Sequence, residues 1–215
     1  DGWRGGLIAD DMGVGKTLQV LSFFASLKEK RQGGPHLVIA PAGLLANWED
    51  EASKFFGKYL EPIFCVKGNK LPHQPEVAAE RLRTQEIVLV SYETLRNNEK
   101  AFAQVQWNIV ATDEGQKAKD SRTQIARVLR TLSAKFRLVI TGTPVENSLT
   151  ELWTLFDWVA PGHLKSLREF KNQYMPREET TSDEERQELA KGLREKIETF
   201  YIRRMKKEVL KDHLP

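Results

Sequence analysis

The sequence predicts an α/β domain, a mostly parallel sheet with helices on both faces. Two observations carry this. Six short apolar runs recur, at 7–9, 37–40, 63–66, 87–90, 109–111 and 138–140, each apolar on consecutive positions rather than alternating. That is how strands buried on both faces read. Helical patterns lie between several of them, and strand–helix alternation builds doubly wound sheets.

The first run, Leu7-Ile8-Ala9, leads into Asp10-Asp11-Met12-Gly13-Val14-Gly15-Lys16-Thr17 and a helical stripe of Val20, Phe24 and Leu27. The second ends at Pro41-Ala42-Gly43 and is followed by Leu45, Trp48, Ala52 and Phe55 at i, i+3, i+7 and i+10, one face of a helix. Ser91-Tyr92 follows the fourth run, Asp113-Glu114 the fifth and Thr141-Gly142-Thr143-Pro144 the sixth. Ligands of such sheets sit beyond the carboxyl ends of the strands, so these five polar strand ends are expected on one active rim. After Pro144 the pattern changes. Leu149, Leu152, Trp153, Phe156 and Val159 give a helix stopped by Pro161-Gly162. Residues 175–183 read as a polar loop, and Leu189, Leu193 and Ile197 mark a last helix from about Glu184. No further strand is expected. The division read from this is 1–160 for the sheet domain and 161–215 for a helical appendage.

Composition sets broad limits. A chain of 215 residues with 40% hydrophobic and 29% charged residues has ample material for a core. A net charge of +3 permits a nucleic-acid partner without demanding one. Cys65 is the only cysteine, which excludes an internal disulfide and points to a reducing, intracellular setting. No apolar run approaches membrane-spanning length, so no membrane partner is expected. His36, His73, His163 and His213 are too scattered to suggest a metal site. Trp48 and Trp153 lie on apolar stripes, which favours core packing over base stacking.

The chemistry starts at the glycine turn. Between a buried strand and a helix start, a turn spanning Asp11, Met12, Gly13, Val14, Gly15, Lys16, Thr17 and Leu18 is a phosphate cradle. Backbone N–H groups and the helix dipole attract phosphate, Lys16 reaches the outer phosphates and the Thr17 hydroxyl can hold Mg²⁺. Asp10 stands where the commonest form of the motif has its first glycine. A strand-end aspartate such as Asp113 can hold Mg²⁺, and Glu114 beside it can orient or deprotonate an attacking water. Hydroxyls of Thr141 and Thr143 could bond Asp113 and report phosphate state, although the same residues also make an ordinary turn.

Taken together, the motifs resemble those of the Swi/Snf-like ATPases, the DNA-translocating branch of helicase superfamily two. Asp10–Thr17 resembles motif I. Val38-Ile39-Ala40-Pro41-Ala42-Gly43-Leu44-Leu45-Ala46-Asn47-Trp48 resembles motif Ia, and Val90-Ser91-Tyr92-Glu93-Thr94-Leu95-Arg96 resembles motif Ib. Asp113-Glu114-Gly115-Gln116 resembles motif II, and the segment from Leu138 to Asn147 resembles motif III. The stretch from Phe200 to Val209 resembles the segment that closes the first motor lobe. The match runs nearly end to end, in order and spacing.

The resemblance implies a RecA-like first lobe of a two-lobe motor using ATP and Mg²⁺. Lys16 and Glu114 would serve catalysis, Thr17 and Asp113 the metal, and Gln116, Thr141, Gly142 and Thr143 the coupling of hydrolysis to movement. Pro41, Ala42, Gly43, Asn47, Ser91 and Tyr92 would track the backbone of double-stranded DNA without reading its sequence. A second lobe of the same polypeptide, with its arginine fingers, and a DNA-bound protein cargo are the implied partners. The adenine-reading glutamine would lie before Asp1 and the second lobe beyond Pro215, so the lobe alone is expected to hydrolyse ATP poorly. Two departures stand out: Gln116, which cannot titrate, replaces the more usual His, and Ala42-Gly43 lacks a common hydroxyl. The basic cluster Arg203, Arg204, Lys206, Lys207 and Lys211 reads as a hinge toward the second lobe, as a DNA contact or as a solvated face, since Glu208 and Asp212 interrupt it. Competing readings of the whole are a strand-separating DNA or RNA helicase lobe and a nucleotide-binding switch without turnover. The absence of a long acidic or lysine-rich insert leans bacterial, hence cytoplasm or nucleoid; a eukaryotic source would imply the nucleus.

Overall fold

The computed structural model describes residues 5–67, 70–115, 123–142, 148–176 and 182–206. Its centre is a seven-stranded sheet in the order β3-β4-β2-β5-β6-β1-β7, parallel throughout. The strands are β1 (Gly5–Ile8), β2 (His36–Ala40), β3 (Ile63–Val66), β4 (Ile87–Ser91), β5 (Gln106–Asp113), β6 (Ser133–Ile140) and β7 (Tyr201–Ile202). The helices are α1 (Lys16–Glu29), α2 (Leu45–Phe56), α3 (Pro75–Arg83), α4 (Tyr92–Asn97), α5 (Glu99–Ala103), α6 (Gln124–Thr131), α7 (Leu149–Val159), α8 (Leu167–Tyr174) and α9 (Asp183–Ile197).

The consecutive apolar pattern is explained by burial on both faces. Leu37, Ile39, Val88, Val90 and Val110 pack with Leu82 of α3, Leu95 of α4, Phe102 of α5 and Leu129 of α6. Their neighbours Val38, Ala40, Leu89, Ile109 and Ala111 point the other way, against Val20, Leu21 and Phe24 of α1 and Trp48 and Ala52 of α2. In a strand successive side chains take opposite faces, so a strand covered on both must be apolar at every position. One stripe position differs from expectation. Phe55 is 50% exposed, because α2 ends at Phe56 and turns through Gly57.

A third cluster joins Leu7 and Val139 of the sheet to Phe156 and Val159 of α7, Phe170 of α8, Leu193 and Ile197 of α9, and Phe200 in the single turn after it. Ser166 and Ser182 start α8 and α9 with capping boxes completed by Glu169 and Glu185. The expectation of no strand after Pro144 is corrected here. Tyr201 and Ile202 pair in parallel with Leu7 and Ile8, and Ala9 N–H donates to Ile202 O at 2.7 Å. Two residues are too few to show a period, and their strand character comes from pairing with β1. Among the described residues no helix is long and apolar enough to cross a membrane.

Candidate nucleotide site

The strand order brings β5, β6 and β1 side by side, so the ends of three motifs meet at one edge. Ile140 is level with both Asp113 and Ile8, and Thr141 N–H donates to Ile8 O at 2.9 Å. The turn after β1 needs its glycines: Gly13 has φ 84° and Gly15 φ 79°, left-handed values that strain other residues. Gly15 caps α1 without a side-chain bond to the first turn. The helix's first N–H groups and its positive dipole end therefore face the loop, an anion site by construction. Lys16 Nζ donates to the carbonyls of Asp10 at 2.9 Å and Asp11 at 3.1 Å. It is thus anchored by neutral acceptors that a phosphate oxygen can replace. A Cβ on Gly142 would lie 4.0 Å from Lys16 Nζ and 3.4 Å from Met12, so the strand end of β6 closes over the lysine. Thr17 follows Lys16 in the first turn of α1, and Val14 and Leu18 flank the turn, while Met12 projects to solvent. These features fit a magnesium–nucleotide phosphate chain, held by Gly13 to Thr17.

Asp10, in the place of the usual glycine, is fully buried. Arg204 meets it with its backbone N–H at 2.8 Å from Oδ1 and its guanidinium at 2.6 Å from Oδ2. Burial alone would raise this carboxyl, but the Arg204 and Gln19 hydrogen bonds hold it below the usual carboxylate range.

Asp113 closes β5 and is buried. Trp48 Nε1 donates to its Oδ2 at 2.9 Å, and Glu114 N–H to its Oδ1 at 2.9 Å. Burial raises its pKa, and Glu114 adds to that, while the Trp48 and backbone bonds and the nearby Lys16 ammonium oppose it. A cation at this carboxylate would relieve the burial cost, as a metal ligand requires. Glu114 has φ 51°, an uncommon left-handed value for a side chain of its size. Gly115 follows in close contact with β6, where an added Cβ would sit 2.5 Å from Val139 Cγ1. Gln116 and Thr143 lie outside the described residues.

The expected rim divides. Ala42 and Gly43 lie in an exposed single turn after Pro41, and Asn47 is exposed on α2 with its amide bonded to Glu51 at 3.0 Å. Ser91 and Tyr92 turn inward instead. Ser91 Oγ accepts from Thr94 N–H to start α4, and Tyr92, 6% exposed, donates its hydroxyl to Asp113 O at 2.8 Å. Burial pushes the Tyr92 phenol upward, so it stays a neutral donor. Both side chains therefore serve the interior of this strand end. Three further described tryptophans also bond inward: Trp107, Trp153 and Trp158 give their indole N–H groups to carbonyls of Phe102, Lys165 and Leu129. On sequence alone Trp48 reads only as core. Its signal was available, since an indole N–H on an apolar stripe needs a buried acceptor.

A glycine turn that ends a parallel strand, a lysine opening the next helix and an aspartate two strands away define a phosphate-loop NTPase domain. The full chain, residues 1–215, matches the SNF2-related domain, and it belongs to that family. It is 39% identical to the Zorya protein ZorD of Escherichia coli O139:H28, over 97% of this chain and 21% of ZorD. It is 33% identical to the ATP-dependent DNA helicase DDM1 of Arabidopsis thaliana, over 96% of this chain and 29% of that protein. The fold matches the Sulfolobus solfataricus SWI2/SNF2 ATPase core in complex with dsDNA with a TM-score of 0.82 and 32% identity, covering 99% of this chain and 42% of that one. The chain thus spans about a fifth to a third of these curated relatives.

Proposed function

We propose that this chain is the ATP-binding first lobe of a DNA-stimulated ATPase that translocates on double-stranded DNA and remodels protein–DNA complexes. The observation that carries the reading is the meeting of Lys16, at the start of α1, with Gly142 and Asp113 at the ends of β6 and β5. Membership of the SNF2-related family supports it, as does the likeness to a core bound to duplex DNA.

In this reading Gly13 to Leu18, with Asp11 and Met12, hold the phosphates by backbone N–H groups, and Lys16 neutralises developing charge. Thr17 and Asp113 hold Mg²⁺, which supplies Lewis-acid charge stabilisation when bound. Glu114 accepts the proton of the attacking water. Gly142 and Thr141, with Thr143 and Gln116, couple phosphate state to movement. Pro41, Ala42, Gly43 and Asn47 meet the DNA backbone. Residues 161–215 act as an appendage and hinge toward a second lobe of the same polypeptide, whose arginines complete the site. The isolated lobe hydrolyses ATP poorly, and the protein works inside the cell on a DNA-bound protein cargo.

The test uses the full-length protein with duplex DNA. Lys16→Ala is expected to abolish nucleotide binding. Glu114→Gln is expected to keep binding and lower turnover at least about a hundredfold, the scale of a lost general base. Unchanged turnover in Glu114→Gln overturns the catalytic assignment. Strand displacement by the wild type would replace duplex translocation with a strand-separating helicase.

A further inference from the structure

We infer that residues 202–206 form a strap that sets the position of the phosphate loop, with Arg204 as a positioning residue acting through Asp10. The inference rests on the reading of Gly13 to Thr17 as an ATP site. The bonds run residue by residue. Ala9 N–H donates to Ile202 O at 2.7 Å, and Asp11 N–H to Arg204 O at 3.2 Å. Lys206 N–H donates to Asp11 Oδ2 at 2.9 Å. The strap therefore continues the parallel pairing of β7 along the root of the loop, 194 residues away in sequence.

The Arg204 guanidinium does more than neutralise Asp10. It also donates to Gln19 Oε1, while Gln19 Nε2 donates to Asp10 Oδ2 at 3.2 Å and Val14 O at 3.3 Å. Arg204, Asp10, Gln19 and Val14 form one chain of bonds from the strap into the middle of the loop. Asp10 is its pivot. Its carboxylate is fixed by Arg204, and its carbonyl is one of the two acceptors of Lys16 Nζ. Turning that peptide displaces the resting place of the lysine. A loop held in its binding geometry spares the ligand the entropic cost of ordering it. An exposed cation reading of Arg204, as a DNA contact or a solvated charge, leaves the buried Asp10 carboxylate without a charged partner, with only Gln19 and a backbone N–H to hold it.

The experiment measures steady-state ATPase and equilibrium ATP binding in the full-length protein. Arg204→Ala and Asp10→Asn are each expected to raise KM and Kd for ATP about tenfold, equivalent to ~1.4 kcal/mol. The Asp10→Asn/Arg204→Ala double variant should be no weaker than the worse single variant, since both break one link. Arg204→Lys keeps charge without the fork and should recover part of the loss. A merely structural role would lower the active fraction, and hence kcat, without moving KM. KM within about twofold of wild type in folded variants, or losses that simply add, overturns the strap. If Arg204→Ala does not fold, Arg204→Lys and Asp10→Asn carry the same threshold. Lys16→Ala separates the two readings. If it binds ATP normally, the site itself is wrong; if it loses ATP while the strap variants keep their KM, only the strap is wrong.

Discussion

Trp48 Nε1 donates a 2.9 Å hydrogen bond to Asp113 Oδ2 across 65 residues of sequence. The indole thus ties α2, which carries Asn47 on its exposed side, to the carboxylate assigned to the metal. Tyr92 adds a second tie, through the Asp113 carbonyl. Groups that orient a metal-holding side chain commonly matter tenfold to a hundredfold to activity. Trp48→Phe keeps an aromatic ring in the core and deletes the donor. It is expected to lower the ATPase rate of the full-length protein about tenfold and to raise the Mg²⁺ concentration needed for half-maximal rate. An unaltered magnesium titration and rate would show that the bond only packs the core.

His36 gives the fold a pH-dependent weakness at the opposite end of the sheet. Its ring is fully buried, stacks on Phe24 at 4.2 Å, and neither ring nitrogen has a hydrogen-bond partner among the described residues. Glu86 stands 3.9 Å away and is shared with Lys28 at 3.4 Å, so burial prevails and lowers the His36 pKa from 6.5 to about 4. The folded state therefore holds a neutral ring while the unfolded chain takes up a proton below pH 6.5. Stability is kept above 6.5 and lost as pH falls toward 4. The loss is about 3 kcal/mol at 1.36 kcal/mol per pH unit. His36→Phe retains the stack and removes the proton. Denaturant unfolding at pH 7 and pH 4.5 should show the variant gaining on wild type at the lower pH. An equal difference at both would refute the assignment.

The sheet was legible because both-face burial writes itself as consecutive apolar residues, as at Leu37 to Ala40 and Ile87 to Val90. The phosphate loop was legible because its backbone demands Gly13 and Gly15 at fixed spacing. What was hidden depends on contacts between distant segments. Nothing local at Asp10 announces Arg204, and nothing at Tyr92 says that its hydroxyl turns inward to Asp113. β7 was hidden for the same reason, as two residues borrow their strand from β1.

Gly115 tests how closely β6 supports the carboxylate pair. An ideal Cβ there falls 2.5 Å from Val139 Cγ1 and 3.6 Å from Ile140 O, inside a packed core. Gly115→Ala must displace the Val139 side chain, β6 or the Asp113–Glu114 turn. Overpacking of this kind costs about 1–3 kcal/mol. The expected result is a lower denaturation midpoint together with reduced ATPase, because the displaced turn carries Glu114. A variant as stable as wild type would mean that Val139 yields by a rotamer change alone.

Phe156 decides whether α7 to α9 unfold with the sheet or apart from it. Its ring is fully buried between Leu7 and Val139 of the sheet and Phe170, Leu193 and Phe200 of the later helices, and it meets Phe200 edge-on at 6.1 Å. Truncating a buried phenylalanine costs about 3–5 kcal/mol, since both transfer and cavity terms are lost. Because this cluster joins β1 and β6 to α7, α8 and α9, the cost should fall on all of them together. Phe156→Ala is therefore expected to lower the unfolding midpoint of residues 1–215 in one transition, with the same midpoint by far-ultraviolet circular dichroism and by the fluorescence of its five tryptophans. Two separated transitions, with the helices leaving first, would instead mark residues 161–215 as an independent unit resting on the sheet.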